Sequence, residues 1–266
     1  MAVGCHCITW GNNGFIRATQ DISDLGYQGI GTLEDIVDVW GEKPQEFKAL
    51  MRERRLRLAS LYCNGALTDP AASEKEVERA VRCARFIKEN GGEVVVLGGG
   101  RAQPGQRLDE AWKAFIATME EIGRRCLDLG VRAAYHPHRG TMVETREQLT
   151  RLMHNSNPGL LFLAPDTGHL KIGGADPEEV LREYMDRIIY VHYKDVMVGS
   201  PASGQAPILF AEIGQGPINF RAITKVLRNR DYAGWVIVEL DRSARTPKES
   251  AAISKKYLTE ILGFEF

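Results

Sequence analysis

The sequence predicts a single α/β domain over residues 1–266, folded as a closed (β/α)8 barrel (TIM barrel). Strand-like and helix-like segments alternate eight times along the chain, which is typical of a parallel sheet covered by helices. The strand-like segments, such as EVVVL at 93–97, are almost entirely apolar, as expected for strands that are buried on both faces. The length is close to the roughly 250 residues of such barrels, and no linker divides the chain.

Each predicted strand is an apolar run bounded by turn residues, and each predicted helix repeats apolar residues at helical spacing. The predicted strands are Val3–Trp10, 27–33, Leu56–Cys63, Glu93–Leu97, Val131–His138, Leu160–Pro165, Ile188–Lys194 and Gly234–Leu240. The predicted helices are 15–25, Pro44–Arg55, 73–90, 107–129, 145–155, 177–186, 219–230 and 247–262. An irregular stretch of about twenty residues, with several Gly and Pro, follows the seventh strand.

The main alternative fold is an open, doubly wound sheet, which would carry a glycine-rich phosphate-binding turn after its first strand. Here the first strand runs into WGNNG at 10–14, which lacks that pattern. The run Gly98–Gly100 also lacks it, because Gln103 stands where the third glycine would be. The closed barrel is therefore the prediction.

Charge and cysteine content exclude several classes of protein. The chain has 34 Lys and Arg residues against 35 Asp and Glu, and a net charge of −1 offers no basic surface to nucleic acid or to a membrane. No apolar run approaches the roughly 18 residues of a membrane span, and the N-terminal MAVGCHCITW lacks the order of a signal peptide. The five scattered cysteines do not suggest a disulfide framework, so we expect a cytoplasmic protein.

Titratable residues stand near the C-terminal ends of the last four predicted strands, which is the end of a barrel where chemistry takes place. They are His136, His138 and the following Glu144 for the fifth strand, Asp166 for the sixth, His192 and Lys194 for the seventh, and Glu239 for the eighth. Residues two apart in a strand share a face, so His136 points with His138, and His192 with Lys194. An isolated charge inside a barrel costs several kcal/mol, so these groups need a common partner.

A divalent cation held by two glutamates, one aspartate and one histidine would satisfy these groups together. Oxygen ligands with one imidazole nitrogen suit Mn, Mg, Co or Fe, with positions left open for a substrate. Tetrahedral structural zinc is disfavoured, because no pair of cysteines has the sequence spacing of such a site.

Motifs at the ends of six strands resemble those of the xylose-isomerase-like TIM-barrel superfamily. They are ITWGN, DLGYQGI, YHPHRGTMVET, PDTGHL, VHYKD and WVIVELD, associated with strands one, two, five, six, seven and eight. The superfamily contains sugar isomerases, ketose 3-epimerases, hydroxypyruvate isomerase and inosose (2-keto-myo-inositol) dehydratase. The His-x-His-x-Gly-Thr-x-x-Glu segment and the ITW start are most similar to the inosose dehydratase branch.

The resemblance implies one divalent metal ion per chain (Mn, Co, Mg, Fe or Zn, with Mn favoured). The implied ligands are Glu144, Asp166, His192 and Glu239. For the strand-five ligand, His136 or His138 remains an alternative to Glu144. Glu144 and Glu239 are implied as the catalytic residues, one acting as base and the other as acid. The implied substrate-binding residues are Trp10, His136, His138, His169 and Lys194.

The resemblance also implies a reaction. The metal polarises a carbonyl, and a carboxylate removes the neighbouring proton to give a metal-stabilised enediolate. Loss of a β-hydroxyl then gives a dehydratase, whereas return of the proton gives an isomerase or an epimerase. We expect a lyase of the inosose dehydratase kind that acts on a keto-cyclitol or keto-sugar. A ketose isomerase or 3-epimerase with the same metal site is the alternative.

Two other classes are disfavoured. A metal-dependent endonuclease for damaged DNA shares this barrel, but it needs a basic surface and more metal ligands than this chain offers. A non-catalytic sugar-binding barrel does not need the intact set of metal ligands. Homo-oligomers are common in the family, and the expected partner is a small sugar or cyclitol.

Overall fold

The computed structural model describes residues 1–11, 13–198 and 208–266. Eight parallel strands form one sheet in the order β6-β5-β4-β3-β2-β1-β10-β7, and two further strands, β8 and β9, form an antiparallel hairpin. The strands are β1 Ala2–His6, β2 Gly29–Leu33, β3 Arg57–Gly65, β4 Val94–Gly99, β5 Arg132–Tyr135, β6 Leu161–Leu163, β7 Tyr190–Tyr193, β8 Asp195–Val198, β9 Ile208–Ala211 and β10 Trp235–Val238. Parallel bridges from Leu163 to Ile188 and from Asp166 to His192 join β6 to β7, so the sheet closes into the predicted (β/α)8 barrel.

Helices surround the barrel and follow the predicted spans to within a few residues. They are α1 Phe15–Asp24, α2 Ile36–Trp40, α3 Pro44–Glu53, α4 Ser73–Glu89, α5 Leu108–Asp128, α6 Arg146–Asn155, α7 Thr167–Ile172, α8 Pro177–Tyr184, α9 Phe220–Asn229 and α10 Pro247–Glu260. Capping boxes at Thr145 and Thr246 begin α6 and α10. Each threonine side chain accepts a backbone N–H from the first turn, and the side chain of Gln148 or Glu249 accepts the backbone N–H of that threonine. No helix in the described ranges is both long and apolar enough to cross a membrane.

Two apolar layers hold the barrel together. The larger lies between the strands and the surrounding helices, where Phe47, Phe115 and Phe220 are fully buried. The smaller fills the inside of the barrel with the residues Ala59, Val94, Val96, Ala134, Ala164, Ile189, Tyr190 and Ile237. The inner layer has little room to spare. A Cβ at Gly98 on β4 would overlap the hydroxyl of Tyr62 on the neighbouring β3.

Three predictions about local structure were wrong. The first strand ends at His6 rather than at Trp10, since Cys7–Trp10 form a 3-10 turn that closes on Gly11 at a φ of 75°. Two short helices, α2 and α7, were not predicted because each is only a turn or two long. The stretch after the seventh strand, predicted as irregular, contains the β8–β9 hairpin, and its residues 199–207 lie outside the described ranges.

Register places the functional residues at one level of the barrel. In the ladder between β10 and β7, Ile237 pairs with His192, and the Glu239 N–H then donates to the Tyr193 carbonyl at 3.0 Å. Side chains alternate across the sheet, so His192 and Lys194 point inward together, as Glu239 and Asp241 do. The last strands therefore deliver their polar side chains to the C-terminal mouth.

Candidate active site

Three side chains from neighbouring strands meet at the mouth of the barrel. Asp166 begins α7 directly after β6, His192 lies in β7, and Glu239 follows β10. Each offers one ligand atom, and these atoms lie within 4.8 Å of one another. All three residues are buried. The structure therefore brings together three of the four ligands that the sequence predicts.

Lys194 lies among these carboxylates. Its Nζ is 2.7 Å from Glu239 Oε1, 2.7 Å from Asp241 Oδ1 and 3.3 Å from Asp166 Oδ2. Phe210 of the β8–β9 hairpin lies against it, with its ring centroid 4.7 Å from Nζ. This lysine was predicted to bind substrate, and in the structure it neutralises part of the negative charge of the mouth.

Four histidines complete the mouth. The Nδ1 atoms of His136 and His192 face each other at 3.0 Å, a hydrogen-bond distance at which one of the two rings donates to the other. His6 and His192 pack edge to face at 5.9 Å between centroids. His136, Asp166 and His169 form a second group with ligand atoms within 4.8 Å of one another. His136 therefore lies beside the ligand cluster on the strand-five side.

Burial and ion pairing shift the pKa values of these groups strongly. Burial lowers the pKa of His6 to about 4 and that of His136 well below the usual histidine value, so both are neutral at pH 7. Burial also lowers the pKa of His169, and the nearby Lys194 adds to that shift. The imidazoles are thus available as neutral ligands or acceptors.

The pKa values of the carboxylates and of the lysine depend on both burial and neighbouring charges. Burial opposes ionisation of Glu239, but His192, Lys194 and His6 outweigh it and hold the pKa well below its usual range. Burial raises the pKa of Asp166, and the positive charge of Lys194 works against that shift. For Lys194 itself, burial lowers the pKa, but the carboxylates of Asp166, Glu239 and Asp241 raise it above its usual value.

The mouth fits a divalent cation on two observations. Asp166 Oδ2 and His192 Nε2 are buried and make no hydrogen bond among the described residues, although Lys194 Nζ lies 3.3 Å from Asp166 Oδ2 and His192 Nε2 lies 3.0 Å from Glu239 Oε2. With its carboxyl groups ionised, the cluster of Asp166, Glu239, Asp241 and Lys194 keeps two negative charges beyond those its lysine neutralises. Carboxylate oxygens and neutral imidazoles are the ligands that Mn, Co and Fe accept.

Glu144 is not brought into either of the two ligand groups at the mouth. Its Oε2 accepts the backbone N–H of Gly140 at 2.8 Å, within the loop that follows β5. Its side chain therefore closes the 140–144 turn. His136, which the sequence leaves open as the alternative, occupies the strand-five position beside His192.

Of the other predicted substrate-binding residues, some lie at the mouth and one does not. His138 is half-buried and stacks on His169, with 3.8 Å between ring centroids. Trp10 lies elsewhere, because its 3-10 turn directs the indole N–H to Asp21 Oδ2 of α1 at 3.0 Å. The structure thus joins His138 and His169 to the mouth but places the Trp10 indole against α1.

Two residues of the mouth were not predicted. Asp241 binds Lys194, and its place two residues after Glu239 on the same face of the chain was the available signal. Phe210 covers Lys194 from the hairpin. No sequence signal identified it, because the contact depends on how the hairpin folds over the mouth.

The fold and this cluster define a parallel (β/α)8 barrel with a titratable site at its C-terminal mouth, the place where barrel enzymes carry out their chemistry. Residues 19–261 match the sequence profile of the family described as xylose isomerase-like TIM barrel. The chain belongs to this family, and it is an enzyme of the lyase or the isomerase and epimerase kind.

Known proteins are similar to this chain in sequence or in fold. Inosose dehydratase from Geobacillus kaustophilus (strain HTA426) is 30% identical to this chain. The alignment covers 92% of this chain and 87% of that protein. A solved D-tagatose 3-epimerase-like protein superposes with a TM-score of 0.79 at 19% identity, covering 98% of this chain and 97% of its own. The probable 3-DHS dehydratase of Bacillus anthracis gives a TM-score of 0.79 at 15% identity and covers 98% and 100%. The two structures support the fold.

Proposed function

We propose that the protein is a metal-dependent dehydratase that acts on a keto-cyclitol or a related keto-sugar. The observation that carries this proposal is the buried cluster of Asp166, His192 and Glu239, whose ligand atoms lie within 4.8 Å at the mouth of the barrel. The similarity to inosose dehydratase, at 30% identity over 92% of the chain, supports dehydration of a sugar-like substrate.

One divalent ion per chain, Mn²⁺ in our proposal, would be held by Asp166, His192, Glu239 and His136. His136 takes the fourth place because a ligand atom of its ring lies within 4.8 Å of one of Asp166, whereas the Glu144 carboxylate is bonded to Gly140. When bound, such an ion acts as a Lewis acid on a carbonyl oxygen.

Glu239 is suited to accept the proton next to the carbonyl. Its pKa lies well below the usual range, because His192 and Lys194 outweigh the effect of burial, so the carboxylate is ionised at neutral pH. Lys194 fixes one oxygen, Oε1, at 2.7 Å, which orients the carboxylate. An ionised carboxylate held in a fixed orientation can accept a proton as a general base.

The leaving hydroxyl needs an acid, and His138 is placed to supply it. Its Nδ1 lies 2.8 Å from the Arg139 carbonyl oxygen, which can only accept, so Nδ1 carries a proton. In the protonated ring, Nε2 then holds the proton that can be given to a departing oxygen. The ring is half-buried, so it can contact both substrate and water. Glu144, the other predicted acid, stays a prediction.

The test combines metal analysis with product analysis. Elemental analysis of the purified protein and of its Asp166→Ala variant should differ by about one divalent ion per chain, the ion held at the mouth. Incubation of the Mn²⁺-loaded enzyme with 2-keto-myo-inositol should then give an unsaturated product that absorbs in the ultraviolet.

The same incubation in D2O separates the alternatives. Deuterium in a product that keeps its carbon skeleton and all its hydroxyls would identify a ketose isomerase or 3-epimerase and overturn the dehydratase proposal. Failure to bind Mn²⁺ or Co²⁺ would overturn the metal-dependent mechanism as a whole.

A further inference from the structure

A second cluster of potential metal ligands lies away from the mouth, between the barrel and helix α4. Glu34 follows β2, Cys63 lies in β3, and Cys83 lies in the middle of α4. One ligand atom from each lies within 4.8 Å of the other two. Three separate elements of the fold thus converge on one point, although 20 positions of sequence separate the two cysteines.

This cluster combines two buried thiols with one carboxylate oxygen that lacks a hydrogen bond within the described part of the chain. Cys63 and Cys83 are 3% and 2% exposed, and both thiols are free. Glu34 Oε2 is buried and has no hydrogen-bond partner among the described residues. The Cys83 thiol and burial raise the pKa of Cys63, so the thiol is protonated until a cation displaces the proton.

We propose that Glu34, Cys63 and Cys83 bind one zinc ion, in a site independent of the catalytic mouth. Two thiolates and a carboxylate are ligands that zinc accepts in a tetrahedral arrangement, and water would take the fourth position. The sequence did not predict this zinc site, because structural zinc is recognised from cysteine pairs that are close together in the chain. Here the pairing of β3 with α4 brings the two thiols together instead.

The positive charge of Arg79 lies beside this site. Two thiolates and a carboxylate carry three negative charges, and a divalent ion leaves one of them uncompensated. The Arg79 guanidinium reduces this excess, because its Nη1 lies 3.2 Å from Glu34 Oε1, and it shares its charge with Glu76, to whose Oε2 its Nη2 donates. An arginine that orients a ligating carboxylate is a typical outer partner of a bound metal.

The site also has a path to solvent and a place in the fold that gives it a role. The side chains of Glu34 and Arg79 are 25% and 34% exposed, so an ion can enter beside them. Tyr62 precedes Cys63 in β3 and packs edge to face on His136, with 5.4 Å between ring centroids. Zinc would therefore tie α4 to the part of β3 that supports the mouth.

Cadmium titration of the full-length protein under a reducing agent tests the site. Cd²⁺ replaces zinc at thiolate sites, and sulfur-to-cadmium charge transfer gives an ultraviolet band that carboxylate and imidazole ligands do not produce. We expect the band to saturate at one equivalent per chain. Cys83→Ser should abolish it, and Glu34→Gln should weaken zinc binding by at least about tenfold, measured by competition with a chromophoric chelator.

Cys126→Ser is the matched control, because Cys126 is a buried, free thiol of α5 outside the cluster, and this variant should keep the band. Absence of the band in the wild-type protein, or its persistence in Cys83→Ser, would overturn the proposal. If Cys83→Ser does not fold, Glu34→Gln decides the question, because Glu34 is partly exposed. None of these readouts depends on turnover, so failure of the catalytic proposal would leave this result unchanged.

Discussion

The two sides of the barrel interior differ sharply in side-chain size. Several interior positions on strands β1 to β4 carry glycine or serine, whereas β7 and β10 place large or charged residues inside the barrel. The small residues are Gly4, Gly29, Gly31, Ser60 and Gly98, and the large ones are Tyr190, His192, Lys194, Trp235, Ile237 and Glu239. The charged residues of the mouth thus come from the late strands, and glycines on the early strands leave room for them.

Contacts across the barrel show why both halves are needed. A Cβ at Gly29 would meet the ring of Trp235. A Cβ at Gly31 would lie 2.8 Å from His6 Cδ2 and 2.8 Å from the Tyr190 hydroxyl. A protein interior is packed to nearly crystalline density, so large groups on one side require small groups opposite. Function on the late strands therefore depends on glycine on the early ones.

The largest effect is expected on the charged side, at Glu239. Glu239→Gln keeps the shape of the side chain but removes the base, and we expect kcat to fall by about a thousandfold or more. Lys194 keeps Asp166 and Asp241 as partners, so the fold should persist. Steady-state kinetics with circular dichroism as the folding control measure this, and near-normal turnover would remove Glu239 from the mechanism.

The strand-five ligand is decided by two parallel variants. His136→Gln should weaken Mn²⁺ binding by about a hundredfold, because it removes the imidazole beside His192. Glu144→Gln should change Mn²⁺ affinity little, because its carboxylate accepts the Gly140 N–H. Calorimetric titration with Mn²⁺ measures both variants. The reverse order of effects would restore Glu144 as the ligand.

Acid should destabilise the metal-free protein through its buried histidines. Unfolded histidine binds a proton at about pH 6.5, whereas burial lowers the pKa of folded His6 to about 4. Between these values the unfolded chain holds more protons, so stability falls as the pH falls. His6 alone should cost about 2 kcal/mol between pH 7 and pH 5.

Urea unfolding in the presence of a chelator measures this loss, with His6→Asn as the comparison. The variant should show a shallower decline with acid, because it lacks one of the titrating groups. A free energy of unfolding that stays constant between the two pH values would contradict the expectation.

The small side of the barrel is tested at Gly31. Gly31→Ala places a methyl group against His6 and Tyr190, and overpacking of this kind costs about 1–3 kcal/mol. Gly159→Ala is the control, because its nearest neighbour is the Asn157 side chain at 3.4 Å on the surface. Thermal unfolding of the two variants measures the difference. Equal melting temperatures would mean that the residues around Gly31 are not tightly packed.

The smallest effect is expected outside both halves, at His154. This residue is exposed in the last turn of α6. His154→Ala should leave turnover unchanged and alter the free energy of unfolding by no more than about 0.5 kcal/mol. Kinetics and urea unfolding check it, and a large loss of activity would show that the site extends beyond the mouth.

The barrel could be predicted from the sequence because its strands are apolar runs with helices between them. Asp166, His192 and Glu239 were identifiable for a related reason, since each is a charged or imidazole group at the end of such a run. The ends of strands in a closed barrel must meet, so no knowledge of loops was needed. Their meeting within 4.8 Å follows from topology.

The remaining features depend on how loops fold in three dimensions. The choice between Glu144 and His136 depends on the backbone N–H of Gly140, which the sequence pattern does not reveal. Trp10 was predicted as the end of the first strand, but it lies in a 3-10 turn that directs its indole to Asp21. The pairing of Cys63 with Cys83 depends on where α4 packs.

The contact between Gly98 and Tyr62 also restricts the order in which the barrel can change by mutation. A methyl group at position 98 overlaps the tyrosine hydroxyl, so a larger residue there is tolerated only after Tyr62 has been shortened. The opposite order passes through an overpacked intermediate. Within this pair of neighbouring strands, the history of one position therefore determines which substitutions the other can accept.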